Sequence, residues 1–438
     1  MTFPAYPEYK DSGVEWLGKI PSHWSVTSLY SLASECDFPN KDMLESNLLS
    51  LSYGRIIRKD INSNDGLLPE SFETYQIVDH GDIVLRLTDL QNDQRSLRSG
   101  LVKERGIITS AYTAIRPTAS HYSYLAYLLR AYDTLKIFYS MGGGLRQSMK
   151  FSDLRRLPIL KPAYSEQSAI AVFLDHETAK IDALITEQEK LIELLKEKRQ
   201  AVISHAVTKG LAPNVPMKDS GVEWLGEVPE HWKVAKLRRF VRAVQTGSTP
   251  SASPPNTDIE DGTYWFTPGD FSGPIRLGSS SKKVPPEAIK QGEVKVFPAG
   301  AVFVVSIGAT LGKIGYLLTL ASANQQINAI IPNADVEGLF LAYSLSSKTS
   351  EMMNLSNAST IGIMNQEKTK EIWLTVPPLC EQERITKFLD EDCVTSDALV
   401  NESQRAIDLL KERRSALISA AVTGKIDVRG FAPVSEAV

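Results

Sequence analysis

The sequence predicts an α+β protein, with two mixed α/β globular regions separated by two long helices and built by internal duplication. Three observations predict it. Residues 166–208, EQSAIAVFLDHETAKIDALITEQEKLIELLKEKRQAVISHAVT, lack Gly and Pro and consist largely of good helix formers. Residues 381–423, EQERITKFLDEDCVTSDALVNESQRAIDLLKERRSALISAAVT, repeat that stretch without a gap at an offset of 215, with 22 identities in 43 positions. A leader, KDSGVEWLG, occurs letter for letter at residues 10–18 and 218–226, and both copies continue into Pro-x-His-Trp-x-Val.

The first rod carries apolar side chains at Leu174, Ile181, Leu184, Ile185, Leu191, Ile192, Leu195 and Val202. Their spacing near seven is that of a helical stripe facing a partner. At ~1.5 Å per residue such a helix reaches ~65 Å, more than one globular domain requires. In the paired stretch Gln188 and Ser403 stand at equivalent positions where an apolar residue is expected, so they are candidates to fix register. The expected segments are 1–163 (leader and first globular region), 164–209 (first rod), 210–378 (linker, second leader and second globular region), 379–424 (second rod) and 425–438 (tail). Because the second leader directly follows the first rod, a pseudo-twofold arrangement places the first leader near the end of the second rod, around Thr423.

A chain of 438 residues exceeds what one hydrophobic core serves. No apolar run approaches the ~20 residues of a membrane span, and the opening MTFPAYPEYKDSG has no signal-peptide pattern. Three cysteines (Cys36, Cys380, Cys393), odd in number and without metal-ligand spacing, fit free thiols in a reducing cytoplasm. The net charge of −4 is unevenly spread: residues 20–162 and 228–378 are each +2, whereas 166–209 and 381–424 are −2 and −3. Mildly basic globular parts on acidic rods permit nucleic-acid binding by the globular parts.

Within the first globular region, residues 48–52, 81–87 and 107–115 read as strands and 122–140 as a helix. Within the second, residues 264–267, 301–306 and 325–331 read as strands and 336–353 as a helix. The leader tryptophans Trp16, Trp24, Trp224 and Trp232 read as anchors for the globular parts, and His23 and His231 as packed or hydrogen-bonded rather than catalytic.

Candidate DNA contacts come from side-chain chemistry. Residues 86–105, RLTDLQNDQRSLRSGLVKER, mix Arg with Asn and Gln, the side chains able to bond guanine and adenine edges in bidentate fashion. Arg86, Arg95 and Arg98 in this segment, with Arg146 and Gln147 in the glycine-rich 141–149 loop, are assigned to one recognition surface. Thr249 in the TGSTP loop and Lys313 are assigned to the other.

Catalytic motifs fail. GATLGK at 308–313 is one residue short of the phosphate-loop spacing and lacks the following Ser or Thr, so it reads as a strand-to-strand turn. No dinucleotide fingerprint, Asn-Pro-Pro-aromatic element, HExxH, nucleophile elbow or spaced Cys/His set is present.

Two different globular regions, each followed by an EQxxIxxFLD…LLKE(K/R)R…AVT helix and preceded by KDSGVEWLGxxPxHWxV, resemble the specificity subunit of a type I restriction-modification system. Asn324-Gln-Gln-Ile-Asn-Ala-Ile330 is similar to an element of the same family. The resemblance implies two target-recognition domains, each reading one half of a split DNA sequence, with the helices packed antiparallel as a spacer. It implies no catalysis in this chain. Two adenine-N6 methyltransferase subunits, carrying S-adenosylmethionine, and motor-nuclease subunits, using ATP with Mg2+, are the implied partners in the cytoplasm. Because the two regions differ, the half-sites are expected to differ. Two rivals remain at this stage: a DNA-modifying enzyme, such as a fragment of a fused nuclease-methyltransferase, and a coiled-coil scaffold whose globular parts bind protein.

Overall fold

The computed structural model describes residues 3–61, 69, 71–88, 90, 97–140, 149–252, 254–356 and 362–431. The chain forms two compact units, residues 1–189 with 404–438, and residues 190–403. The rods are single helices, Tyr164–Lys209 and Leu379–Val422, and each contributes one half to each unit.

In the first unit a four-stranded antiparallel sheet runs in the order Ala33–Cys36, Thr113–Pro117, Ile83–Leu85, Ser99–Leu101. Helix Tyr122–Thr134 buries Leu125, Leu128, Leu129 and Tyr132 in the core. That helix stops short of the expected residue 140, because Lys136 takes a left-handed φ of 62° and the chain continues as a 3₁₀ turn, Ile137–Ser140. The strand expected over 107–115 is two strands, Gly106–Ile108 and Thr113–Pro117, separated by a turn in which the Tyr112 amide bonds the Thr109 carbonyl at 3.2 Å. Strand Ser25–Ser28 pairs with Pro158–Lys161, which delivers the chain into the first rod.

Ile170, Phe173 and Leu174 of the first rod share this core with Ile418, Ala421 and Val422 of the second. Farther along, Arg414 Nε donates to Asp182 Oδ1 at 3.0 Å. Rising residue numbers on one rod meet falling numbers on the other, so the rods are antiparallel here. The chain ends meet in this unit as the duplication requires. Tyr9 donates its hydroxyl to the Gly424 carbonyl (3.0 Å), and the Asp427 amide bonds the Pro4 carbonyl (2.7 Å). Phe173 packs edge-on against both Phe3 and Phe431. Gly424 ends the second rod at φ +73°, where an added Cβ would lie 2.4 Å from Pro21.

In the second unit five strands run Val241–Thr246, Ile327–Pro332, Val302–Val305, Ile314–Leu317, Arg276–Leu277, antiparallel except for the last pair. A smaller sheet joins Lys282–Val284, Thr263–Phe266 and Ser322–Ala323. The expected helix over 336–353 is two helices, Gly338–Ser346 and Thr349–Ser356. Strand Lys233–Lys236 pairs with Trp373–Val376 and leads into the second rod. Ile203, Ala206 and Val207 pack with Ile385, Leu389 and Cys393, and Arg199 Nη1 donates to Asp397 Oδ1 at 2.6 Å, again antiparallel.

Several letters shared by the two rods make the same bonds to other elements. Gln167 donates to the Pro162 carbonyl (3.0 Å) and accepts from the His121 amide (2.9 Å); Gln382 donates to the Pro377 carbonyl (2.8 Å) and accepts from the Glu337 amide (2.8 Å). Asp175 accepts from Tyr127 (2.8 Å) and its copy Asp390 from Tyr343 (2.7 Å). Glu166 bonds His23 and Glu381 bonds His231, both at 2.9 Å, so both histidines are packed partners of a rod. One frame of bonds therefore holds two different sheets.

Two expectations about apolar side chains need correction. Leu184 and Leu191 lie outside the seam and are exposed, because the buried edge of the rod follows Ile181 and Ile185. Among the leader tryptophans, Trp24 and Trp232 are fully buried, whereas Trp16 and Trp224 are partly exposed, resting on Tyr132 and over Lys348.

Candidate nucleic-acid interface

The first unit overturns one assignment. Arg98 is fully buried. Its Nε donates to the Tyr139 hydroxyl (3.0 Å), and its Nη1 donates to the carbonyls of Thr88 (2.7 Å) and Arg86 (3.3 Å). Its amide bonds Asp133 Oδ2 at 2.6 Å. These acceptors replace water around the guanidinium, so Arg98 braces the segment from inside and cannot reach a base. Arg86 is half-buried, and its backbone is held in that same brace through its amide to the Arg98 carbonyl (2.8 Å). Arg95, Arg146 and Gln147 lie outside the described residues.

A second group of charges in this unit is also structural. Arg116 bonds the buried Asp82 (2.7 Å) and Asp79 (2.9 Å), and Asp79 also accepts from Arg105 (2.8 Å). Burial, reinforced by Asp82, pushes the neighbouring Cys36 thiol up to about 12, which keeps it protonated and unreactive.

In the second unit Thr249 is exposed and donates to Gln325 Oε1 at 2.5 Å. The loop beneath is tied down. Trp265 Nε1 donates to the Ser248 carbonyl (3.0 Å), the Lys295 amide to Ser248 Oγ (3.0 Å), and Lys295 Nζ to the Thr246 carbonyl (3.2 Å). Thr249, Gln325 and Lys295 thus form one exposed polar, cationic patch on a rigid base. Gln325 and Lys295 were not singled out from sequence. Gln325 is exposed because it stands in the turn that precedes strand Ile327–Pro332, whereas Asn328 inside the strand is buried, donating to the Met364 carbonyl (2.8 Å) and accepting from Thr246 (2.9 Å).

Lys313 belongs elsewhere. It is half-buried in a cleft lined by Lys196, Arg199 and Gln200 of the first rod, Thr310 and Tyr343. The GATLGK stretch is the strand-to-strand turn expected of it, with the Gly312 amide on the Val305 carbonyl and the Val305 amide on the Lys313 carbonyl, both 2.9 Å. Thr249 and Lys313 therefore face different surroundings. Among the described residues no group of His, Cys, Asp and Glu could hold a metal ion, and no helix is long and apolar enough to cross a membrane.

Residues 229–402 match the family described as Type I restriction modification DNA specificity domain. Over 92% of this chain and 98% of the other, the fold matches a chain from a solved structure concerned with complex assembly and conformational transition of the type I R-M system, with TM-score 0.68 and 17% identity. Residues 229–402 thus resemble a type I DNA specificity domain, and the chain as a whole has the fold of that type I R-M chain. Relatives agree. A Methanocaldococcus jannaschii protein named for the type I restriction enzyme MjaX specificity subunit is 24% identical over 70% of this chain and 68% of its own length. The type I restriction enzyme EcoR124I/EcoR124II specificity subunit of Escherichia coli is 22% identical over 70% of this chain and 72% of its own.

Proposed function

We propose that each unit of this specificity subunit reads one half of a bipartite, non-palindromic DNA site, and that the rods fix the unread gap and carry two methyltransferase subunits. The observation that supports the reading most directly is that equivalent bonds from Gln167 and Gln382, and from Asp175 and Asp390, present different sheets, four-stranded in one unit and five-stranded in the other. A repeated frame gives a repeated mode of docking. Different sheets give different half-sites.

Partner docking has its own support in the rods. Leu184 and its copy Leu399 are each 46% exposed, and Leu194 and its copy Leu409 are 51% and 65% exposed. Large apolar side chains left in solvent at equivalent positions of both copies suit a protein partner that occurs twice. S-adenosylmethionine then belongs to the methyltransferase subunits, and ATP with Mg2+ to motor-nuclease subunits, in the cytoplasm. The test is co-expression with the methyltransferase subunits followed by genome-wide mapping of N6-methyladenine. A split motif with a fixed gap is expected; methylation without a motif, or none, would refute the reading.

A further inference from the structure

The first unit carries a two-stranded ribbon, Leu49–Ser52 paired with Arg55–Arg58, that forms a sheet of its own. One face is committed to the interior: Leu49 and Leu51 are buried, and Ile56 packs with them. The other face shows Ser50, Ser52, Arg55 and Ile57, with Lys59 continuing the alternation; the two serines are half-buried and the other three side chains exposed. Tyr53 stands at the tip, 83% exposed.

The tip is strained and braced. Tyr53 has φ 44° and Gly54 φ 74°, so a bulky residue occupies a turn position that suits Gly, Asn or Asp. Arg130 props the turn from below, bonding the Gly54 carbonyl at 2.5 Å and Ser99 Oγ at 3.1 Å; a Cβ on Gly54 would collide with its guanidinium. Arg55 is exposed and rests against the half-buried Asp182 of the first rod at 3.1 Å; Asp182 keeps Arg414 as a partner when Arg55 turns away, so the arginine can change partners at little cost. Holding an exposed tyrosine in a disfavoured conformation, when glycine would fit without strain, indicates a use for the ring.

We propose that this ribbon enters a DNA groove and reads the first half-site. Its outward face presents Ser52 and Arg55 to base edges and Ile57 to a thymine methyl, while Tyr53 donates its hydroxyl to a backbone phosphate at the tip. A two-stranded ribbon fits the major groove, and these residue types match its donor, acceptor and methyl pattern. Arg55 and Lys59 supply the charge that a bare protein-docking face would not need. The proposal rests on the half-site reading above, to which it adds the residues.

The experiment uses the full chain with its methyltransferase subunits and compares Y53G, R55Q and D182N with wild type. Y53G is expected to unfold at an equal or higher temperature, yet to bind the cognate duplex about tenfold more weakly. R55Q is expected to lose about 10- to 100-fold at one base position of one half-site, relaxing the methylated motif there, the cost of one bidentate base contact. D182N, which removes the carboxylate that Arg55 shares with Arg414 of the second rod, is expected to leave the bases of the motif unchanged. Y53G with wild-type affinity, an unaltered motif in R55Q, or a D182N motif matching that of R55Q would overturn the proposal. So would loss of the methyltransferase subunits from the ribbon variants before DNA is added, which would make the face a protein dock. A wild-type complex with no split motif would instead defeat the half-site reading itself.

Discussion

Glu166 and Glu381 occupy the same position in the two rods but do unequal work, and the inequality is measurable. Glu166 is buried and accepts three bonds: Tyr6 hydroxyl at 2.8 Å, Trp24 Nε1 at 3.1 Å and His23 Nε2 at 2.9 Å. Glu381 is half-buried and accepts from His231 at 2.9 Å, while the buried Trp232 Nε1 has no partner among the described residues. Replacing Glu166 by Ala would leave Tyr6 and Trp24 as buried donors without an acceptor, at ~1–3 kcal/mol each, besides the exposed His23 bond. The expected cost is ~3–5 kcal/mol for E166A and ~1 kcal/mol for E381A, whose histidine partner is exposed and returns to water. Urea unfolding of both variants, with tryptophan fluorescence as the probe, reads the difference. The Y6F variant should recover part of the E166A loss when combined with it, since it removes one of the orphaned donors. Equal destabilisation by E166A and E381A would refute the reasoning.

Two further predictions concern buried cations. Lys348 lies over the Trp224 ring at 4.5 Å, and burial lowers it from 10.5 to about 8. A lysine lowered on folding binds fewer protons folded than unfolded, so its contribution to stability rises from pH ~8 to ~10.5, by up to ~3 kcal/mol; in K348M that pH-dependent increment should vanish and stability at pH 7 should increase, as read by the difference between wild-type and variant unfolding across that range. Arg98→Met should destabilise the first unit by ~2–4 kcal/mol through the acceptors it strands, yet leave the methylated motif unchanged in whatever fraction folds; a relaxed motif at full stability would return Arg98 to the DNA surface.

The parts of this fold that were legible in the sequence are those written locally. A gap-free helical pattern and its copy need no tertiary knowledge, and the antiparallel pairing follows once the leader must meet the end of the second rod. Arg98 was misread because an arginine among Asn and Gln looks the same whether it faces a base or a ring of carbonyls; only Tyr139, 41 residues away, decides it. Leu184 was misread because a spacing near seven identifies a stripe but not which flank of it is covered. The ribbon was half legible: its first strand was expected, and Tyr53-Gly54 between two alternating runs is a two-residue hairpin signal. What sequence could not supply was the exposure of its outer face and the arginine beneath its tip.

The central claim is that the two units read separate halves of one site, and a substitution confined to one unit tests it most directly. The Thr249–Gln325 pair stands at the exposed patch of the second unit. Mapping N6-methyladenine in cells carrying the T249A/Q325A double variant, beside wild type, should show one half of a split motif relaxed or lost, with the other half and the gap intact. A motif altered in both halves, or a gap that changes while both halves persist, would contradict the account.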